Sequence, residues 1–245
     1  MINIVYRLCE MEMAPPFRAK RLPWFSKLNC LHSFLEAVEF SKDWIDSVTF
    51  VHDGPEGELI KKIPDYFKII RVNARSNEGS LIATYEAAKN IPGDIYYVED
   101  DYLHLPESIK LIALALPSLG LVTGYDHEDR YVGDDDLTYG KELIAFDIAS
   151  NRHWRTAEST TCTFAISQAM RPKVQAIADN FMLHDRKLFR KLYKKKVRLW
   201  TPIPGLTTHI DTALSPGIDW VSFNRRMSEN RKIELNLRGS QGTCL

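Results

Sequence analysis

The chain has no surplus of either charge, since 32 lysines and arginines stand against 32 aspartates and glutamates. No overall field steers it towards nucleic acid or an anionic membrane, so acidic or basic function has to be local. Long apolar runs are missing as well. The opening "MINIVYRLCEMEM" holds one short apolar strand, without a basic lead or a long apolar centre. No window approaches the roughly 20 apolar residues of a membrane span. The four cysteines, Cys9, Cys30, Cys162 and Cys244, are scattered without a C-x-x-C pair. That favours thiols in a reducing compartment over disulfides or a zinc site. Repeats and low-complexity linkers are absent too. These absences predict a soluble, cytoplasmic protein with no secretory signal and no nucleic-acid partner, a peripheral membrane contact being left open.

What is present is a core. With 245 residues, 44% of them hydrophobic, one large domain is within reach. The first half alternates strand and helix patterns. "NIVYRL" (3–8), "SVTFVHDG" (47–54), "FKIIRVN" (67–73) and "DIYYVED" (94–100) read as strands. "WFSKLNCLHSFLEAVEFSK" (24–42) spaces Phe25, Leu28, Leu31, Leu35 and Val38 as a helix. "SLIATYEAAKN" (80–90) reads as a helix capped by Ser80, and "PESIKLIALAL" (106–116) as one opened by Pro106. Strands alternating with helices predict an α/β fold with a mainly parallel sheet, whose ligands sit beyond the carboxyl ends of the strands. Polar residues collect at those ends: Arg7, Asp53, Asn73 and the run Glu99, Asp100, Asp101.

The second half is less regular. "TTCTFAIS" (160–167) reads as a strand, "SQAMRPKVQAIADN" (167–180) and "HDRKLFRKLYKKK" (184–196) as helices, and "VRLWTPIPGLTTHID" (197–211) as a strand entering a loop. "GYDHEDRYVGDDDLTYG" (124–140) is acidic, but its "DHEDRYVGDDD" lacks the sixth-position Gly and final Glu of an EF-hand loop, so a solvated surface loop is expected. The basic "RKLFRKLYKKKVR" (186–198) is expected to be one exposed helix face. His153, Trp154 and Trp200 could stack on sugar rings or fill the core. The division expected is one domain over 1–211, its halves 1–110 and 111–211, followed by a C-terminal extension, 212–245.

"IYYVEDDYLHLP" (95–106) is the chemical centre of this reading. Three adjacent acids end an apolar strand with no base beside them. Side chains alternate faces along an extended chain, so Glu99 and Asp101 would share one side and Asp100 take the other. Two carboxylates on one side make a half-site for magnesium or manganese.

Residues 69–109 carry a wider pattern: Asn77-Glu78-Gly79, then Pro92-Gly93-Asp94, then Glu99-Asp100-Asp101, then Pro106. This resembles nucleotide-sugar-dependent glycosyltransferases of the GT-A fold, closest to the family 2 type. The resemblance implies a Rossmann-like central sheet flanked by helices in a single domain. It implies a metal-dependent hexosyl- or N-acetylhexosaminyl-transferase, with Glu99 standing where the D-x-D motif has its first Asp. The donor would be a nucleotide-diphosphate sugar and the acceptor a saccharide, a lipid-linked group or a protein. Tyr6, Arg7, Asp53, Asn77, Gly79, Glu99 and Asp100 would bind the donor, and Asp101 and His209 would hold Mn2+ or Mg2+, with Asp211 as the fallback ligand. Asp185, at the start of a late helix, would be the base of an inverting transfer, although His184 replaces the family's usual Glu beside it. A retaining course stays open.

Two other readings stand beside it. "RLPWFSK" (21–27) echoes the Arg-x-x-Pro…Lys region of sugar-phosphate nucleotidyltransferases. Against that, "LCEMEMAPPF" (8–17) has no glycine for a loop that cradles a triphosphate with its amides. The other is a carbohydrate- or nucleotide-binding module that performs no transfer.

Overall fold

The computed structural model describes residues 1–10, 22–132, 142–178, 185–210 and 213–240. In chain order the first half runs β1 (Ile2–Cys9), α1 (Lys27–Phe40), β2 (Ile45–Asp53), β3 (Lys68–Val72), α2 (Asn77–Ala88), β4 (Asp94–Glu99), β5 (Tyr102–His104) and α3 (Ser108–Leu119). The second half runs β6 (Leu121–Val122), α4 (Asp129–Val132), β7 (Ile144–Asp147), β8 (Arg152–Ala157), β9 (Phe164–Ile166), α5 (Arg171–Ala178), α6 (Asp185–Lys194), β10 (Leu199–Ile203), β11 (Thr207–His209) and α7 (Trp220–Ser240).

Nine strands form one sheet in the order β3-β2-β1-β4-β9-β6-β10-β8-β7. The four from the first half are parallel throughout, as the βαβ pattern requires. Beyond β4 the sheet becomes mixed, because β9 enters antiparallel to both β4 and β6. The α/β reading therefore holds, with the run of parallel strands at the end built by the alternating sequence and one further parallel pair, β6 with β10, beyond it. The two-stranded β5–β11 ribbon sits apart and pairs Tyr102 with His209.

Strand alternation sorts the core into two layers. Ile4, Tyr6 and Leu8 of β1 and Tyr96 and Val98 of β4 pack with Leu31 and Phe34 of α1 and Ile112 of α3. Val5, Ile95 and Tyr97 face the other way, onto Leu81 and Tyr85 of α2 and Phe189 of α6. A third cluster joins Trp220, Phe223 and Met227 of α7 to Cys30 of α1, Leu103 and Ile210. Asn29 Nδ2 donates to Asn224 Oδ1 at 2.9 Å across that contact. Within the segment expected as an extension, the part from Trp220 to Ser228 thus lies against α1.

Local caps shift two predicted boundaries. Helix α2 starts before Ser80, because Ser76 is its N-cap and accepts from Gly79 N at 3.0 Å. Ser80 is buried inside the helix. A Cβ on Gly79 would lie 3.0 Å from both Ala74 Cβ and Ser76 Oγ, so a larger residue there would press on the side chains at the entry to α2. Helix α3 starts at Ser108, two residues after Pro106. Trp154 is fully buried in the core, which removes it as a sugar platform. Residues 133–140 of the acidic segment lie outside the described residues.

His104 is buried between Tyr96, whose hydroxyl lies 3.1 Å from its Nε2, and the edge of the Phe34 ring. Burial holds its imidazole neutral, down to a pKa of about 3. In the unfolded chain it protonates near its ordinary value, about 6.5. The stability this provides is complete above that pH and is lost as pH falls towards 3, by up to about 1.4 kcal/mol per pH unit. Urea unfolding of His104→Gln should show a shallower loss between pH 6.5 and 5 than the parent; parallel curves would refute this account.

Candidate functional site

The parallel strands β1 and β4 end side by side, with Arg7 and Glu99 as direct partners in the register. Both residues point to the α2 face by the alternation that puts Val5 and Tyr97 there. Arg7 Nη2 forms an ion pair with Glu99 Oε1. Its Nη1 donates to the Oδ1 of Asn77 at 2.9 Å and to the Asn77 carbonyl at 3.2 Å, tying the strand end to the first turn of α2. The other Glu99 oxygen accepts from Cys162 N at 3.1 Å, and Glu99 N donates to Thr163 Oγ1 at 3.0 Å. Burial works against the Arg7 charge, but Glu99 and the neighbouring acids lift its pKa above the usual arginine value.

Asp100 turns to the opposite face and meets α1. Lys27 Nζ, in the first helical residue, lies 2.9 Å from Asp100 Oδ2 and 2.7 Å from the Cys9 carbonyl. Cys9 N donates to the same carboxylate oxygen at 2.7 Å. The two ionised side chains are only 11% and 13% exposed. Burial raises the Asp100 carboxyl above the ordinary range; Lys27 opposes that rise and the adjacent Asp101 adds to it. The charges that no neighbouring residue in the sequence balances are balanced by Arg7 and Lys27, distant in sequence.

Asp101 takes a third direction. Its Oδ2 lies 3.1 Å from His209 Nε2, and Ile210 N donates to its carbonyl at 2.9 Å. The Tyr102 ring lies 5.1 Å from the His209 ring and Tyr125 lies 6.3 Å from it, giving the pair an aromatic wall. The strand ends at Glu99, so the expected sharing of one side by Glu99 and Asp101 does not form. Among the described residues no group of three or more histidine, cysteine, aspartate or glutamate side chains could hold a metal ion.

The other expected site residues fall as follows. Asp53 ends β2, where its Oδ1 accepts from Ala74 N at 2.8 Å, an internal turn contact. Tyr6 is fully buried, with ring centroids of Phe34 at 4.5 Å and Phe50 at 5.1 Å, so it lies beneath the acids and not at the surface. Asn77 and Gly79 both lie in the first turn of α2, Asn77 on Arg7 and Gly79 on the Ser76 cap. Asp185 opens α6, whose Phe189 ring packs 5.3 Å from Phe164 of β9; its side chain lies outside the described residues, as do Asp211 and His184. Lys27 was not among the expected site residues. Its signal was the "RLPWFSK" echo, which places a lysine at the start of α1.

No protein-family model matches the chain, and no curated protein matches it. Among solved structures it is similar to CMP:2-keto-3-deoxy-manno-octonic acid synthetase complexed with CTP, at a TM-score of 0.53 and 11% identity, over 94% of this chain and 99% of that one. It is also similar, at a TM-score of 0.46 and 13% identity, to a nucleotidyl transferase from Methanothermobacter thermautotroptrophicus, over 82% of this chain and 86% of that one. The first likeness shows the fold: a single Rossmann-like α/β domain. It also overturns the expectation of a glycosyltransferase, because the solved structure that the chain resembles over 94% of its length is a synthetase complexed with CTP. The physical reason lies in the ion pairs. The spacing that resembled a D-x-D metal motif is, for its first two acids, a pair of salt bridges to Arg7 and Lys27.

Removing one partner of a buried pair strands the other charge, at a cost of about 3 kcal/mol. Lys27→Met should lose that much in urea unfolding, and adding Asp100→Asn should restore most of it. A loss below about 0.5 kcal/mol in the single variant would contradict the pairing.

Proposed function

We propose that the chain is a nucleotidyltransferase that joins the nucleotidyl group of a nucleoside triphosphate to a sugar or sugar phosphate and releases pyrophosphate. The observation that carries this reading is the position of Lys27. The segment "RLPWFSK" (21–27), whose Arg21 and Pro23 stand one residue apart, delivers its lysine to the carboxyl ends of β1 and β4, where ligands of parallel sheets bind. The fold shared with a synthetase complexed with CTP supports the same reading.

In this reaction an acceptor oxygen attacks the α-phosphorus while the bond to the bridging oxygen of the β-phosphate breaks. The electron pair leaves with pyrophosphate, and the acceptor proton passes to solvent or a carboxylate. Negative charge grows on the leaving group, so fixed cations nearby lower the barrier. Lys27 and Arg7 supply them, held in place by Asp100, Glu99 and Asn77. Because both cations are already oriented by buried partners, little reorganisation is needed when a triphosphate arrives.

Asp101 and His209 would hold a divalent cation. A hard cation with one carboxylate from the protein completes its shell with water and phosphate oxygens, and an imidazole suits manganese better than magnesium. When bound, it would supply charge neutralisation for the phosphates. The role that the glycosyltransferase resemblance implies for Asp185, as base for a glycosyl acceptor, has no counterpart in this mechanism.

The test is a panel of CTP, UTP, dTTP, GTP and ATP with manganese or magnesium. One nucleotide at about 100 times its Kd should stabilise the protein by about 2.7 kcal/mol, read as a rise in Tm. Pyrophosphate should then appear on adding a suitable sugar or sugar phosphate. The Lys27→Met/Asp100→Asn variant should stay folded and release pyrophosphate at least ~100-fold more slowly. Tight nucleotide binding without pyrophosphate release for any acceptor would leave a binding module in its place.

A further inference from the structure

Several of the apolar side chains that stay outside the core collect at one edge of the main sheet. Among the described residues β7 is the last strand there, bonded to β8 on its inner side. Ile144 is 64% exposed, Phe146 52%, and Ile148, in the turn that follows, 85%. The exposed ring of Tyr131 joins them: Arg155, opposite Ile144 on β8, places its guanidinium 5.4 Å from the centre of that ring. Exposed edges are normally blunted by lysine, proline or a charge set into the strand. β7 reads Ile-Ala-Phe-Asp. Its one charge, Asp147, is buried, accepting from Ser118 Oγ at 2.6 Å and from Ser150 N at 2.7 Å.

The pairing with β8 decides which backbone groups look outward. Leu143 O accepts from Thr156 N at 2.9 Å. By the two-residue alternation of an antiparallel ladder, Ala145 and Asp147 also bond towards β8, and the N–H and C=O of Ile144 and Phe146 turn away from it.

We propose that β7 pairs antiparallel with β7 of a second copy of this chain, about a two-fold axis at Ala145, so that the two sheets become one. Three features of the strand fit its own copy. Residues on the axis form the close, unbonded type of pair, with Cα atoms about 4.5 Å apart, and alanine suits so close an approach. One step outward, Ile144 exchanges two backbone hydrogen bonds with Phe146 of the second copy, and Phe146 with its Ile144. Those four side chains lie on one face, where aromatic and β-branched cross-strand pairs stabilise a sheet. Further out Leu143 meets Asp147 and Glu142 meets Ile148, so no carboxylate opposes another. The chain carries no net charge to hold two copies apart. The strand is thus self-complementary in hydrogen bonds, shape and charge, as an isologous two-fold interface requires. This inference does not depend on the reaction proposed above.

Sedimentation equilibrium of the full chain should show a dimer at micromolar concentrations. Phe146→Lys should raise its dissociation constant at least ~100-fold, by placing two ammonium groups beside the axis, with the far-UV circular dichroism and nucleotide binding of the monomer unchanged. Ala145→Cys should give a covalent dimer under mild oxidation, because its Cα separation suits a disulfide, whereas the parent and Leu143→Cys should not. A parent that is monomeric at 100-fold higher concentration would overturn the proposal. So would a dimer that survives Phe146→Lys, or one that Ala145→Cys fails to cross-link.

Discussion

The site rests on how the acidic end of β4 is neutralised. Three consecutive carboxylates end a strand buried on both faces, and each goes to a different element: Glu99 to Arg7 on β1, Asp100 to Lys27 on α1, Asp101 to His209 on β11. Strand alternation sends the first two to opposite faces, and the end of the strand frees the third. These contacts, with the hydrogen bonds from Arg7 to Asn77, draw together the start of α1, the first turn of α2 and the β5–β11 ribbon. Charge balance and tertiary structure are therefore one arrangement here, and the functional groups inherit their positions from it.

The parallel strands give this arrangement its direction. Their carboxyl ends present Arg7, Asp53 and Glu99 on one rim, and the helices that return from them bring Lys27 and Asn77 to the same rim with their N-termini. Helix N-termini and fixed cations both favour a phosphate-bearing ligand. The mixed half of the sheet serves a different purpose. It supplies Thr163 and Cys162 N behind Glu99 and carries the apolar edge strand furthest from that rim.

Much of the fold was legible in the sequence because the first half obeys a simple period. Leu31, Leu35 and Val38 mark α1, and the apolar run before Glu99 marks β4. The family resemblance implied one metal shared by Asp101 and His209; the structure brings these two side chains into direct contact across 108 residues. Less visible was anything set by pairing across the chain. Nothing local announces that Lys27 reaches Asp100 over 73 residues, and without that contact the acids read as a metal motif. Ser80 looked like a cap because it precedes an apolar run, whereas Ser76 lies one turn earlier and accepts from Gly79 N. Tyr6 looked accessible from its place near a strand end, yet the alternation that exposes Arg7 sends Tyr6 into the aromatic cluster with Phe34 and Phe50.

The most direct measurement follows the phosphorus. A nucleoside triphosphate labelled at the α-phosphate, incubated with the protein, a divalent cation and a set of sugars and sugar phosphates, should yield a labelled sugar product. The same nucleotide labelled at the γ-phosphate should yield labelled pyrophosphate and an unlabelled product. Label from the γ-position appearing in the sugar, or no transfer from either position by a protein that binds the nucleotide, would contradict nucleotidyl transfer.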